Sequence, residues 1–405
     1  MSAVANPISG ARSWSHEMGM KASRTGSPPL SKSKTLLISL CLFFTPRSIS
    51  GQTWKWVTET VDNYGVQNSI AVDKDQNLHI SYFSGGLKYA FRPANSSKWF
   101  TMQLAPGSGY AEVATRVALD LSGNPHICFT PGVLKYASFE NHGWNIQQID
   151  PQSGLIEYTC SLAITADGTP HVIWYQYGGP QGGYFLHLKY ATLDKGAWLA
   201  RTVDYEGQTG KWNCMVLDAQ GNPHVTYDSF LKGEIKYAYW DGKDWHRSVV
   251  DSPDISPNGP SGGMGNSLLL NRDGKAQISY ENGEAVKYAW EKNGSWKLDT
   301  IEHVALTGGW SGYRTRQALD PQGNPHVVYE DGGAVKHAYW DGNDWRIQVV
   351  SAAGTRAHRY EDIAFDRRGN IYIVYQDAID GSLKVAVGSP QGHAQSASNE
   401  KKSKK

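Results

Sequence analysis

Two short stretches concentrate side chains that bind anions or move protons. Residues 310–316 read WSGYRTR, and residues 356–362 read RAHRYED. A guanidinium holds a carboxylate through paired hydrogen bonds, and histidine or tyrosine side chains transfer protons in general acid–base catalysis. These stretches therefore supply the candidate catalytic residues, which are Tyr313, Arg314, Arg316, His358, Arg359 and Tyr360.

A second set of polar and aromatic residues stands at the ends of short alternating runs. Aromatic rings stack on the C–H faces of sugars, and carboxylates accept hydrogen bonds from hydroxyls. The candidate ligand-binding residues are Tyr110, Arg116, Tyr158, Trp212, Asp228, Glu281, Trp310, Glu330 and Asp362. In the alternative, structural interpretation these charges pair with one another, for example Arg316 with Asp362.

A unit that recurs seven times must position these residues. Val216–Asp251 shows one copy, with four runs of period-two alternation separated by turns rich in Gly, Asn and Asp. This pattern is typical of antiparallel strands joined by hairpins. The ends of the first runs lie 45 to 53 residues apart, a period that indicates propeller blades. The third run reads LKYA or a close variant and begins at Leu87, Leu134, Leu188, Ile235, Val286, Val335 and Leu383.

The fourth run opens on a tryptophan in six copies, and the seventh copy lacks this run. These tryptophans are Trp99, Trp144, Trp198, Trp245, Trp296 and Trp345. The missing pattern stands near the other end of the chain, in Trp56–Asp62. A first strand that completes the last sheet closes the ring and removes its exposed edges. We therefore predict an all-β fold, a seven-bladed β-propeller of four-stranded antiparallel blades over residues 52–389.

The N-terminal segment, residues 1–50, is interpreted as an upstream extension and a secretory signal peptide. Basic residues up to Lys34 precede the apolar run TLLISLCLFF, and a small-x-small cleavage site ends at Ser50. The apolar run is too short for a stable membrane anchor. We expect a secreted protein, extracellular or periplasmic, with a disordered basic tail over residues 390–405.

Composition narrows the partners and cofactors. A formal net charge of +1 gives no reason to expect a nucleic-acid partner. Cys41 lies in the signal, which leaves three cysteines and argues against a disulfide framework, although a pair between Cys160 and Cys214 stays open. No metal motif is present, and calcium at turns such as Asp73–Asn77 is the alternative to plain turn chemistry. We expect a monomer without a cofactor.

Repetition indicates that several reactive side chains are structural. One histidine begins the second run in five copies, at His79, His126, His171, His224 and His326. Residues in separate blades do not converge on one metal ion, so we expect each histidine to hydrogen-bond to a turn or to a neighbouring blade. The lysines of the LKYA runs are expected to be solvated or to pair with the repeated acidic residues.

The LKYA runs and two turns, Asp241–Trp245 and Asp341–Trp345, resemble the repeats of the secreted BNR or sialidase-like propellers. The turns look like shortened forms of the family's Asp-box, S/T-x-D-x-G-x-T-W, at the same third-to-fourth-strand connection. The resemblance implies a carbohydrate-directed propeller that is not a typical sialidase, because a sialidase has one blade fewer and carries an Arg-Ile-Pro motif. Seven-bladed polysaccharide lyases and rhamnose-releasing enzymes are possible relatives by architecture alone.

Two classes of function fit these residues, and the spacing does not choose between them. A polysaccharide lyase would use Tyr313, Tyr360 or His358 to move a proton, with an arginine neutralising a uronate carboxylate. A glycoside hydrolase would use two carboxylates such as Glu330 and Asp362. The alternative is a lectin-like or protein-interaction propeller without catalysis. The loops differ strongly between blades, which favours one asymmetric glycan site.

Overall fold

The computed structural model describes residues 53–107, 114–150, 156–177, 186–206, 208–229, 231–252, 264–282, 284–304, 315–352 and 359–391. Across these ranges the chain forms 28 strands. In chain order the strands are β1 (Thr53–Asp62), β2 (Val66–Val72), β3 (Leu78–Phe83), β4 (Gly86–Arg92), β5 (Phe100–Pro106), β6 (Thr115–Leu119), β7 (Pro125–Phe129), β8 (Lys135–Glu140), β9 (Gly143–Gln148), β10 (Ile156–Ile164), β11 (Pro170–Tyr177), β12 (Leu186–Asp194), β13 (Ala197–Asp204), β14 (Cys214–Leu217), β15 (Pro223–Ser229), β16 (Glu234–Trp240), β17 (Trp245–Asp251), β18 (Met264–Leu270), β19 (Ala276–Glu281), β20 (Ala285–Lys292), β21 (Ser295–His303), β22 (Arg316–Leu319), β23 (Pro325–Asp331), β24 (Ala334–Trp340), β25 (Trp345–Ser351), β26 (Arg359–Phe365), β27 (Ile371–Gln376) and β28 (Leu383–Gln391).

The strands form seven four-stranded antiparallel sheets, which confirms the predicted seven-bladed propeller. Blades 1 to 6 take consecutive strands from β2 to β25, and blade 7 combines β26, β27 and β28 with β1. Strand β1 pairs along β28, from Thr53 opposite Gln391 to Asp62 opposite Leu383. The N-terminal strand therefore closes the ring as predicted. Strand β28 reaches Gln391, past the predicted boundary at residue 389, because it is paired along the whole of β1.

An apolar cluster lies at each interface between neighbouring blades, so the core is divided into seven wedges. The tryptophan that opens a fourth strand packs edge-on against the LKYA tyrosine of the preceding blade. Such ring pairs contribute about 0.5–1.5 kcal/mol beyond their burial. The ring centroids are 5.0 to 5.5 Å apart in Tyr89–Trp144, Tyr136–Trp198, Tyr190–Trp245, Tyr237–Trp296 and Tyr288–Trp345. In the closing strand, Trp56 packs in the same way against His337, at 5.6 Å.

The repeated histidines bind inside their own blades. His79 Nδ1 lies 2.6 Å from the hydroxyl of Tyr89, and its Nε2 lies 3.3 Å from Asp73 in the preceding turn. Blades 2, 3 and 4 repeat the histidine–tyrosine pair. In blade 6 a second histidine replaces the tyrosine, and His326 Nδ1 lies 2.8 Å from His337 Nε2. The predicted bond to the turn is confirmed for His79, and His126, His224 and His326 place Nε2 3.6 to 3.7 Å from the turn aspartate. The second partner belongs to the same blade.

The repeated aspartates and lysines are structural as well. Asp73 Oδ1 accepts the backbone N–H of Asn77 at 2.8 Å, and its Oδ2 accepts the side-chain amide of Asn77 at 2.7 Å. These bonds recur in the later turns and confirm turn chemistry there. Four of the lysines pair with an acid on the outer strand of the preceding blade, in line with the predicted pairing: Lys88–Asp62, Lys236–Asp204, Lys287–Asp251 and Lys336–Glu302. Lys384 instead pairs with Asp377 of its own blade.

The connections from second to third strands, and those from a fourth strand to the next blade, begin at the same face of the ring. We call this the loop face. Cys128, Cys160 and Cys214 are buried and free. In the described part of the chain no helix has the length and apolar character needed to cross a membrane.

Candidate functional site

The innermost strand of each blade carries one residue, which we call the axis position, opposite a fixed point of the second strand. The seven axis residues are Ser69, Arg116, Ser161, Cys214, Ser267, Arg316 and Asp362. Innermost strands of neighbouring blades do not pair with each other in the described sheets, so their outward N–H groups need other acceptors. Four axis residues supply an oxygen to the next blade: Ser69 to Val117, Ser161 to Met215, Ser267 to Gln317, and Asp362 to Ile70.

Asp362 is held by three donors at the axis. Its Oδ2 accepts the hydroxyl of Ser69 at 2.9 Å, the N–H of Ile70 at 3.0 Å and the Arg116 guanidinium at 3.0 Å. Burial would lower the pKa of Arg116, but the Asp362 carboxylate offsets it and the pKa is raised. The ion pair expected between Arg316 and Asp362 is therefore made by Arg116, because blade 2 presents its guanidinium to the same carboxylate.

Arg316 is held by backbone oxygens. Its Nη1 donates to the carbonyl of Asn266 at 3.3 Å and to that of Thr315 at 3.2 Å. Burial lowers the pKa of Arg316 to about 10, and the like charge of Arg116 adds to the effect. The axis thus contains two guanidiniums, of which Arg116 is neutralised by a direct carboxylate partner.

In the second strand of each blade, the residue that follows the partner of the axis position is a buried aromatic, and we call the next residue the rim position. It lies two residues along the second strand from the residue that pairs with the axis position, towards the loop face. The rim residues are Phe83, Thr130, Tyr175, Asp228, Glu281, Glu330 and Gln376. Blades 4 to 6 are acidic here, whereas the other four blades carry neutral residues. The rim is therefore chemically asymmetric on a backbone that repeats.

The carboxyl group of Asp228 is buried without a hydrogen-bond donor among the described residues. Its side chain is 1% exposed, and neither carboxyl oxygen accepts a hydrogen bond from the described residues. Burial raises the pKa of Asp228 well above its usual range, and the charge of Lys211 opposes this only in part. The backbone around it is tightly bonded, since Asp228 O accepts the N–H of Gly210 at 3.0 Å. Burial therefore favours the protonated form of the Asp228 carboxyl.

Trp212 belongs to the segment that packs on the end of β15. Its φ of +53° lies in the left-handed region, which costs a non-glycine residue free energy and is found mainly at functional or constrained positions. The following residue fixes the turn, because the side-chain amide of Asn213 donates to Gly210 O at 2.9 Å and to Thr159 Oγ1 at 3.0 Å. This arrangement places a half-buried indole next in the chain to the segment bonded to Asp228.

Glu281 is the rim acid of blade 5 and lies among other carboxyl groups. It is 3% exposed, and its Oε1 accepts no hydrogen bond within the part of the chain that the structure describes. Burial raises the pKa of Glu281 to about 9, with further contributions from Glu330, Asp331 and Glu361. Glu330 accepts the N–H of Gly333, and Asp331 pairs with Lys336 at 2.7 Å. Glu281 is therefore a second protonated carboxyl beside anionic neighbours.

Several candidate residues fall beyond the described ranges. Tyr110, Trp310, Tyr313, Arg314 and His358 lie outside them, and the side chains of Tyr158, Arg359 and Tyr360 are likewise outside the described part, although their backbones belong to β10 and β26. The described candidates are Arg116 and Asp362, which bind each other, Arg316, and the residues Trp212, Asp228, Glu281 and Glu330 at or beside the rim.

Sequence reasoning missed the residue that precedes the axis position. In this column Asn266 is fully buried, and neither atom of its amide group has a hydrogen-bond partner among the described residues. The column was readable as an unusually polar one: Asn68, Thr115, Cys160, Asn213, Asn266, Thr315 and Glu361. For the described residues, no group of three or more His, Cys, Asp or Glu side chains is arranged to hold a metal ion.

Comparisons with known proteins find similar folds and do not assign a function. No family model and no curated protein matches the chain. The chain is similar to a protein of unknown function from Dyadobacter fermentans DSM 18053, with a TM-score of 0.50 and 11% identity, covering 84% of this chain and 100% of that one. The polysaccharide lyase Uly1 gives a TM-score of 0.46 at 10% identity, covering 79% and 88%. The NanB sialidase from Streptococcus pneumoniae gives 0.45 at 11%, covering 82% and 68%.

At these identities the likeness concerns the propeller architecture alone. Membership of the sialidase-like superfamily stays a prediction, since it is supported by the LKYA runs and the shortened Asp-box turns and by no family match.

Proposed function

We propose that this chain is an extracellular propeller that binds a glycan at one asymmetric site on the loop face, over blades 4 to 6. The observation that carries the proposal is the rim position, which is acidic in these three blades and neutral in the others. A ring of repeats with equal rims would offer equal sites. One acidic arc instead suits a single ligand segment lying across neighbouring blades.

The protonation state of the rim fits a sugar. The raised pKa of Glu281, about 9, keeps this carboxyl uncharged at neutral pH, and burial shifts the pKa of Asp228 in the same direction. A protonated carboxyl offers one O–H donor and acceptor oxygens, which matches the donor and acceptor of a sugar hydroxyl. The indole of Trp212 is suited to stack on a pyranose ring. The candidates Tyr110, Trp310, Tyr313, Arg314 and His358 lie outside the described residues and enter the proposal from their residue types alone, as further sugar contacts.

A glycan array followed by titration of the bound sugars tests the proposal. We expect Asp228→Ala and Glu281→Ala each to weaken binding at least about tenfold, which corresponds to about 1.4 kcal/mol. The matched control is Thr130→Ala, which changes the same rim position in blade 2 and should leave affinity unchanged. An array without any bound glycan, or rim variants that bind like the unaltered protein, would refute the proposal.

Glycoside hydrolysis is a second candidate, favoured by one observation. Glu281 has a pKa of about 9 and lies beside the carboxyl of Glu330, and a hydrolase needs a protonated acid next to an ionised carboxylate. Release of reducing ends from an array ligand, abolished by Glu281→Gln, would select this activity. Absorbance at 235 nm from an unsaturated product would point instead to a lyase that uses the loop residues Tyr313 or His358.

A further inference from the structure

We propose that Cys128 and Cys160 form a disulfide bond that cross-links blades 2 and 3 when the chain folds under oxidising conditions. The inference is independent of the proposed glycan site. It replaces the pair between Cys160 and Cys214 that the sequence left open. In the structure all three thiols are buried and free, and the contacts between blades determine which two of them meet.

Side chains of an innermost strand alternate between its two neighbouring blades. The axis residue faces the next blade: Ser69 Oγ accepts the N–H of Val117 at 3.3 Å. The residue before the axis position faces the preceding blade: Thr115 Oγ1 donates to Ser81 Oγ at 3.0 Å. Because successive side chains of a strand point to opposite faces, we expect the same two directions in every blade.

The contact between Thr115 and Ser81 joins two fixed places of the repeat. Thr115 precedes the axis position, and Ser81 is the second-strand residue that pairs with the axis position of the preceding blade. The contact recurs between blades 5 and 6, where Ser279 Oγ donates to Thr315 Oγ1 at 2.9 Å. The repeat therefore brings the side chains at these two places together across the interface between blades.

Between blades 2 and 3, cysteines occupy both places. Cys128 pairs with the axis residue Arg116, and Cys160 precedes the axis residue Ser161. Both cysteines belong to the apolar cluster between these blades. Burial raises the pKa of the Cys128 thiol, and a side-chain hydrogen bond with Cys160 adds to the rise. The two thiols are therefore in contact, and the S–S bond, about 2.0 Å long, draws them closer still.

Cys214 faces a different interface. It is an axis residue, so its side chain points towards blade 5, and it belongs to the cluster between blades 4 and 5. A pair with Cys160 would require one of the two strands to turn its side chains to the opposite face. Such a slip of one residue would also expose the apolar residues of that strand. We therefore expect Cys214 to remain a free thiol.

The bond forms during folding, because both thiols are buried once blades 2 and 3 have packed. One cysteine thiolate attacks the disulfide of a donor, and the first donor sulfur leaves as a thiol. The second cysteine attacks the resulting mixed disulfide and releases the other donor sulfur. The two cysteines lose two electrons and two protons, and the donor disulfide is reduced to two thiols. Oxidising compartments outside the cytoplasm supply such donors, and the N-terminal segment predicts export to one.

The test maps the cysteines of the full chain. The chain is made by cell-free translation in a glutathione redox buffer, which supplies the disulfide donor whether or not the chain is exported. Free thiols are blocked with N-ethylmaleimide in denaturant, and the chain is cut with trypsin without reduction. Mass spectrometry should find residues 117–135 linked to residues 136–189, and a blocked Cys214 in residues 212–232. A link between residues 136–189 and 212–232, or blocked thiols at both Cys128 and Cys160, overturns the inference.

Matched variants measure what the bond does for the two blades. Cys128→Ser combined with Cys160→Thr restores the serine–threonine contact of blades 1 and 2, so this double variant should fold without the bond. Unfolding exposes the bond to a reductant, which should lower the guanidinium chloride midpoint of the unaltered protein by about 0.3 M or more. Cys214→Ser should respond equally, and the double variant should not respond. An unaltered protein without this response, or a response lost in Cys214→Ser, overturns the cross-link.

Discussion

Two buried aspartates behave in opposite ways, Asp362 at the axis and Asp228 at the rim. They are 6% and 1% exposed. Asp362 accepts three hydrogen bonds, one of them from a guanidinium, whereas the Asp228 carboxyl accepts none from the described residues. The two acids therefore have opposite effects on stability: the axis acid holds blades together, and the rim acid weakens the fold at the position where we propose that a glycan binds.

The same contrast appears in how the two positions repeat. At the axis, the hydroxyl oxygens of Ser69, Ser161 and Ser267 each accept a backbone N–H of the next blade, just as Asp362 accepts a backbone N–H of blade 1. At the rim, the Asp228 carboxyl accepts no hydrogen bond from the described residues, whereas Glu330 accepts the N–H of Gly333. Repetition of an interaction indicates scaffold, and its loss at equivalent positions indicates selection for something other than stability.

The largest effect is expected from breaking the scaffold at its closure. Deleting the chain through Asp62 removes the strand that pairs along all of β28 and takes Trp54 out of the cluster between blades 6 and 7. Loss of one buried tryptophan costs about 3–5 kcal/mol, a large share of the about 5–15 kcal/mol that holds a domain folded. We expect a sharply lower melting temperature or no cooperative transition. A chain that begins at Thr53 is the control, and equal melting of both would contradict ring closure.

A smaller loss is expected at the axis acid. Asp362→Ala leaves the largely buried Arg116 guanidinium without its carboxylate and removes the acceptor of Ser69 and Ile70. Breaking a buried ion pair from one side costs about 3–5 kcal/mol. The matched control in the same column is Ser267→Ala, which loses the bond to the Gln317 N–H and should cost about 1 kcal/mol. Denaturant unfolding measures both, and equal losses would mean that Asp362 is no more than another acceptor.

The scaffold was largely predictable from the sequence because its residue pattern recurs in seven copies. The spacing of Trp56 to Asp62 matched a fourth strand that blade 7 lacked, so ring closure followed without coordinates. The histidines and the turn aspartates were assigned to structure for the same reason. In each case the local pattern and the global closure agree, which is when sequence reasoning is strongest.

The site was predictable only as a set of residue types. Arg116 and Arg316 share one column, and no local pattern tells which of them reaches Asp362, 246 residues from Arg116. Ring geometry decides that pairing. Asp228 and Glu281 were among the candidates, but their missing partners and raised pKa values depend on burial, which a single acidic letter does not reveal. Asn266 was missed because asparagine near a strand start usually serves a turn.

The smallest effect has the opposite sign and is expected at the rim. A carboxyl whose pKa is raised by folding binds its proton more tightly in the folded chain, so it costs nothing below its unfolded pKa of about 4 and costs progressively more as pH rises above it. Asp228→Asn keeps the shape and removes this titration. The variant should match the unaltered protein near pH 4 and be more stable near pH 7, by about 1–3 kcal/mol.

Unfolding of both proteins across this pH range measures the difference directly. A gain that grows with pH identifies an uncompensated buried carboxyl, and the same variant at Asp362, Asp362→Asn, should instead lose stability at pH 7 because Arg116 loses its counter-charge. If Asp228→Asn were destabilising at neutral pH, Asp228 would be a second scaffold acid and the distinction between rim and axis would fail. If it is stabilising and also binds the array glycan more weakly, the rim acid has been retained at a cost in stability that ligand binding explains.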